Sequence, residues 1–195
     1  SCQKVKENIE TTIVKQIAPT EIPNSITLSD IFKGVSEQPG ILNEHMPKLK
    51  ELAGQCESIV EFGVRPICST VAFLSGQPKK LTTYGINEDP VQLNLKKRSG
   101  NCNFNYELAD SLDINIEEID LLFLDTKHSA THILNELNKH KNKVKRWIVL
   151  AGTEKFKMFG EDRKAGMSYG IRTFLKENNE WTVIYRVTNC NGLTI

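Results

Sequence analysis

The sequence has no long apolar run, no cysteine framework and no excess of charge of either sign, and each absence removes a class of explanation. No stretch approaches the roughly 18 consecutive apolar residues that a membrane-crossing helix needs, and the opening Ser1-Cys2-Gln3-Lys4-Val5-Lys6 is too polar for a secretory signal. The expectation is a soluble, cytoplasmic protein without a membrane span. Cys2, Cys56, Cys68, Cys102 and Cys190 are odd in number, widely spaced and contain no CxxC. They build neither a disulfide framework nor a zinc ribbon, which fits a reducing compartment. Cys68 has no neighbouring base that would mark it as a nucleophile. With 25 Lys and Arg against 24 Asp and Glu, the net charge of +1 gives no general attraction to nucleic acid or acidic membrane. Internal repeats and low-complexity segments are also absent.

What is present is enough for one core. A chain of 195 residues, 39% hydrophobic and 25% charged, suits a single domain with an extension. Residues 1–40 read as a helical extension. Val5, Ile9, Ile13 and Ile17 form one apolar stripe that Pro19 and Pro23 end, Ser29-Asp30 can cap a short helix ending near Gly34, and Pro39-Gly40 marks a boundary. The stripe suits a cap on the main domain, a homodimer contact or a lid, and the pattern leaves all three open.

Residues 41–195 alternate between strand-like and helix-like segments. Strands are expected at 58–62, 80–86, 103–108, 119–125, 144–150, 181–187 and 192–195, with helices near 42–53, 70–76, 130–140 and 169–176. This order predicts an α/β, Rossmann-like, doubly wound, mostly parallel seven-stranded sheet with an antiparallel C-terminal edge hairpin. Trp147 and Trp181 fall within expected strands and read as core.

The segment Ser58 to Thr70 carries the most functional information. Ile59, Val60 and Phe62 make a buried strand, Gly63 permits a left-handed turn or close backbone approach, and Ser69 or Thr70 can cap the following helix. A strand, tight turn and helix N-terminus have the geometry of a nucleotide-binding loop, where a ligand meets free backbone N–H groups, and equally that of the turns that close ordinary α/β units.

Together with that loop, Ala109-Asp110-Ser111, the run Asp120 to His128, Ile41 to Pro47 and the tail Asn189 to Thr194 resemble the class I S-adenosylmethionine-dependent methyltransferases. Within them it resembles a group of small enzymes thought to methylate sugar hydroxyls. The resemblance spans residues 41–195 and implies S-adenosylmethionine as cofactor. Glu61 and Gly63 would frame the methionine part of the cofactor, with Arg65, Ser69 and Thr70 on the same loop, and Gly85 would lie by the ribose. Asp110 would accept from the adenine amino group, assisted by Ser111. Asp125 and His128, past the carboxyl end of strand four, are the candidates for the acceptor side. His128 could take the hydroxyl proton with Asp125 orienting it. The loop Glu154 to Gly166 is a second candidate for acceptor recognition.

Three departures from the family pattern stand out. Strand two ends in Gly85 where relatives carry a ribose-binding acid, a loss of about 1.5–3 kcal/mol unless Asn87, Glu88 or Asp89 compensates. Ile67 replaces a second loop glycine. Ala151-Gly152-Thr153 lacks the Asp that helps hold a divalent metal, so no metal is expected unless Glu154 or Asp162 substitutes. His128 and His132 have the spacing of a helical metal pair but lack the HExxH glutamate and a third ligand. The resulting expectation is an O-methyltransferase acting on a carbohydrate or glycan hydroxyl. Its rivals are a methyltransferase-like binding domain without activity and a glycosyltransferase that takes a nucleotide-sugar.

Overall fold

A computed structural model describes residues 22–64 and 67–195; the helix expected over residues 5–17, and Arg65, lie outside the described residues. Seven strands form one sheet: β1 (Ser58–Phe62), β2 (Lys80–Gly85), β3 (Asn103–Leu108), β4 (Ile119–Leu124), β5 (Val144–Ala151), β6 (Arg186–Val187) and β7 (Leu193–Thr194), in the order β3-β2-β1-β4-β5-β7-β6. The first five run parallel, and β7 pairs antiparallel with both β5 and β6. This is the doubly wound, mostly parallel sheet with an antiparallel edge that the sequence pattern predicts.

Among the described residues, six α-helices cover the sheet: α1 (Leu28–Ser36), α2 (Met46–Ala53), α3 (Cys68–Gly76), α4 (Pro90–Lys96), α5 (Ala130–His140) and α6 (Met167–Glu177). The strand alternation of period two sends β4 side chains to two cores. Leu121 and Phe123 join α1, α2 and α3 on one face, whereas Leu122 and Leu124 join α5 and α6 on the other. Ile31 and Val35 of α1 belong to the same core as Ile59 and Leu81 of the sheet. Arg98 ties residues 22–26 down: its guanidinium donates to the carbonyls of Ile26, Ile22 and Pro23 at 2.8–2.9 Å.

Several local expectations are corrected. Helix α1 is capped by Thr27 rather than Ser29-Asp30, through a capping box in which the Thr27 hydroxyl accepts from the Asp30 N–H and the Asp30 carboxylate accepts from the Thr27 N–H. It continues past Gly34 to Ser36. Neither Ser69 nor Thr70 caps α3, whose N-cap is Ile67 without a side-chain bond. Helix α4, absent from the sequence reading, starts at Pro90 with the Asp89 carboxylate accepting from Val91 N–H at 2.9 Å. The expected strand 181–187 shrinks to Arg186–Val187, because among the described residues its only strand partner is the short β7; hydrogen bonds between Tyr185 and Ile195 extend the pairing by one residue.

The ends of the central strands set the place of function. Gly63 N–H donates to the Tyr84 carbonyl, Asp125 N–H to Phe62 and Ala109 N–H to Gly85, so β1 to β4 finish level with one another. The chain leaves β1 for β2 on one side, and β4 takes the other side, which opens a crevice at the carboxyl ends of the strands.

Candidate active site

A cavity of about 490 Å³ occupies that crevice, lined among others by Gly63, Gly85, Asp110, Ser111, Thr126 and His132. Gly63 makes it possible in two ways. Its φ of +85° is left-handed, and a Cβ there would lie 2.0 Å from the Asp125 carbonyl oxygen. Any side chain at 63 would push apart the β1 and β4 loops that wall the cavity.

Beneath this loop Glu61 is fully buried. Its Oε2 accepts from the Thr70 hydroxyl at 2.7 Å, while Oε1 and the buried Ser69 Oγ have no hydrogen-bond partner among the described residues. Burial pushes the Glu61 carboxyl up to about 8, against the pull of the Thr70 hydroxyl. Thr70 therefore serves this acid, and neither Ser69 nor Thr70 serves the helix terminus. Cys68, next to them, is buried and its thiol is pushed up to about 12 by burial, which keeps it un-ionised.

At the end of β2 the missing acid has a structural counterpart. A Cβ on Gly85 would stand 2.5 Å from the Tyr106 hydroxyl, which reaches across from β3 and donates to the Asn87 carbonyl. Tyr106 thus occupies the space that a side chain at 85 would need.

Asp110 follows β3 at the cavity rim, with Oδ1 accepting from Leu112 N–H at 2.8 Å. Ser111 is buried, and here the structure adds residues that the sequence reading missed. Its hydroxyl donates to Glu136 Oε1 at 2.5 Å, and its carbonyl meets His140 Nε2 at 2.8 Å. Burial lowers the His140 pKa, so the neutral ring donates to that carbonyl. Glu136, itself fully buried, also receives the Thr126 hydroxyl at 2.8 and 2.9 Å and lies 3.2 Å from His132 Nε2. The signal was the polar series His132, Glu136, His140, spaced four apart on a helix that also buries Ile133 and Leu137.

His128 and His132 do not form a pair. The helix starts only at Ala130, capped by the Ser129 hydroxyl. His128 instead places Nε2 3.1 Å from Asp125 Oδ1 and Nδ1 3.1 Å from Glu161 Oε1, and its ring stacks on Phe156 at 4.4 Å. Burial opposes charge on this imidazole, but the Asp125 and Glu161 carboxylates outweigh it and hold its pKa above the ordinary value. Both nitrogens face acceptors, so the geometry favours the imidazolium. Gly152 makes the room: its φ is +74°, and a Cβ there would lie 2.5 Å from the His128 ring. The position where a metal-binding acid was expected to be missing is therefore filled by an imidazole. Among the described residues no cluster of His, Cys, Asp and Glu is arranged to hold a metal ion.

A second cavity of about 290 Å³ shares Asp125 and Thr126 with the first and is bounded by Ile41, His128, Phe156 and Asn191. Its wall unites two segments far apart in sequence. His45 Nε2 lies 3.0 Å from the Asn189 carbonyl, and the Asn189 amide donates to Glu44 at 2.6 Å.

No family model matches the sequence, and no curated protein matches it. Solved structures do. The fold is that of the Rossmann-like class I methyltransferases. One similar structure is the O-methyltransferase from Bacillus cereus in complex with S-adenosylhomocysteine, with a TM-score of 0.60 and 15% identity over 95% of this chain and 97% of that one. Another is the O-methyltransferase TomG from Streptomyces achromogenes with S-adenosylmethionine, TM-score 0.61 and 15% identity over 97% and 96% of the two chains. A third is the methyltransferase PaMTH1 from Podospora anserina bound to S-adenosylhomocysteine, TM-score 0.57 and 12% identity over 99% and 93%. At these identities the likeness establishes the fold, and the chemistry rests on the site.

Proposed function

We propose that this protein is an S-adenosylmethionine-dependent O-methyltransferase that acts on a carbohydrate hydroxyl. The observation that carries the methyltransferase reading is the pair of adjoining cavities that share Asp125 and Thr126 at the carboxyl ends of β1 and β4. One has room and polar groups for the cofactor; the other opens beside it for an acceptor. The residues fit the cofactor: Gly63 leaves backbone close to the cavity, the orphaned Oε1 of buried Glu61 lies under the same loop, and Asp110 and Ser111 stand at the rim. The carbohydrate acceptor follows the sequence resemblance, and the acids and Asn191 around the second cavity suit a polyhydroxylated molecule.

S-adenosylmethionine supplies a methyl group on a sulfonium, ready for in-line displacement by oxygen. The chain has to hold the acceptor hydroxyl in line and take its proton. Asp125, which faces both cavities, is the proton acceptor in this proposal. A free alkyl hydroxyl is a very weak acid, but it acidifies sharply as its oxygen bonds to the methyl carbon, so a carboxylate suffices in the transition state. His128, loaded with its proton between Asp125 and Glu161, orients Asp125. This exchanges the roles that the sequence alone gave the two residues.

Calorimetric titration with S-adenosylmethionine and S-adenosylhomocysteine tests the cofactor, followed by a screen of sugar acceptors with labelled methyl donor. Micromolar binding and methyl transfer to a sugar are expected, with Asp125→Asn lowering turnover by roughly 10²–10⁴-fold at unchanged cofactor affinity. Absence of binding up to millimolar concentration refutes the reading. It would favour a binding domain without activity, for which the lack of an acid at Gly85 is the supporting observation.

A further inference from the structure

Among the described residues, Glu136 is the buried acid that the proposal above does not use, and its surroundings are unusual. It is fully buried, and three polar side chains that line the cofactor cavity converge on it: Ser111 from the loop after β3, Thr126 from the loop after β4, and His132 one turn back on α5. His140, one turn further on, holds the Ser111 carbonyl, so the same helix face fixes both the backbone and the hydroxyl of Ser111.

A hydroxyl has one proton to give and two lone pairs to receive with, whereas a carboxylate can only receive. Ser111 and Thr126 therefore spend their protons on Glu136, at 2.5 and 2.8 Å. What each has left for a ligand is a lone pair. Asp110 at the same rim carries oxygens that also receive. We infer that Glu136 is a positioning and specificity-determining residue: by locking the Ser111 and Thr126 hydroxyls as acceptors, it selects a nucleoside base that presents an amino group and rejects one that presents a carbonyl oxygen at the same place. The inference rests on the proposal that this cavity holds the adenosyl group. A site built to receive an N–H leaves its acceptors facing an acceptor when a carbonyl replaces the amine, which discriminates far better than shape does.

The test compares binding of S-adenosylhomocysteine with that of S-inosylhomocysteine, its 6-oxo analogue, to the wild type, Glu136→Gln and Ser111→Ala. The wild type is expected to prefer the adenosyl compound by well over tenfold. In Glu136→Gln the new amide N–H₂ donates to one hydroxyl and frees that hydroxyl's proton for the cavity. The preference should then narrow by at least about tenfold, chiefly through tighter binding of the inosyl compound. Ser111→Ala should narrow it through weaker binding of the adenosyl compound instead. A purely structural role for Glu136 would weaken both ligands equally and leave the ratio unmoved. Thermal unfolding reports whether Glu136→Gln folds; if it does not, the Ser111→Ala ratio decides. A preference unchanged in the folded variants overturns the role of Glu136 while leaving the cofactor assignment standing. A wild type that binds neither compound overturns both.

Discussion

Replacing Glu61 with glutamine should stabilise the protein by an amount that grows with pH, while weakening its hold on S-adenosylmethionine. The Glu61 carboxyl has an ordinary value of 4.5 and is raised to about 8 in the fold. The unfolded chain therefore releases this proton near pH 4.5, and the folded chain keeps it until about pH 8. Across that window the unfolded state binds fewer protons, so wild-type stability falls by about 1.36 kcal/mol per pH unit, a loss that an amide does not suffer. The advantage of Glu61→Gln should be about 1 kcal/mol at pH 5 and roughly 3–4 kcal/mol at pH 7.5. Urea denaturation of both proteins at the two pH values measures the gap, and calorimetry measures the accompanying loss of cofactor affinity, about ten- to a hundredfold if Glu61 makes a charged hydrogen bond to the ligand. A gap independent of pH, or a variant less stable than wild type at pH 7.5, would refute the argument. Stability gained and affinity lost together would mark Glu61 as a residue retained for function.

The other predictions concern the acceptor side. Gly152→Ala places a Cβ in left-handed backbone and 2.5 Å from the His128 ring; it should cost about 1–3 kcal/mol in urea melts and displace the imidazole from Asp125, with loss of methyl transfer. A fully active Gly152→Ala would show that the position of His128 is unimportant. His128 should titrate above 6.5 by NMR, because its two carboxylate partners outweigh burial. Its contribution to stability, read against His128→Asn, is then fully present below pH 6.5 and is lost as pH rises through the raised pKa. A midpoint at or below 6.5 contradicts the double clamp.

Legibility of the chain followed the range of the forces involved. Apolar runs such as Ile119 to Leu124 and the stripe Ile133, Leu137 could be read directly, since period and burial follow from local pattern. Helix α4 escaped because it is held by one Asp89 cap and a proline over seven residues, too little for periodicity to register. The edge strand β6 was overestimated because its length depends on its partner rather than on its own sequence. At the site, Asp110, Asp125 and Gly63 were visible as residues that follow strands. Glu161, Glu136 and Tyr106 were not, since each acts on a residue brought near it only by the fold: His128, Ser111 and Gly85 respectively.

The sequence alone determined the order of the strands and of the helices other than α4, the turn at Gly63 and the absence of a membrane-crossing helix among the described residues, because these depend on neighbours within a few positions. Only the tertiary structure decided the electrostatics. It buried Glu61 until its proton is held to about pH 8, set His128 between two carboxylates in the space that Gly152 leaves, and turned the Ser111 and Thr126 hydroxyls toward Glu136. Charge state and hydrogen-bond direction depend on what surrounds a group in three dimensions, and that is set by which strand ends the sheet brings together.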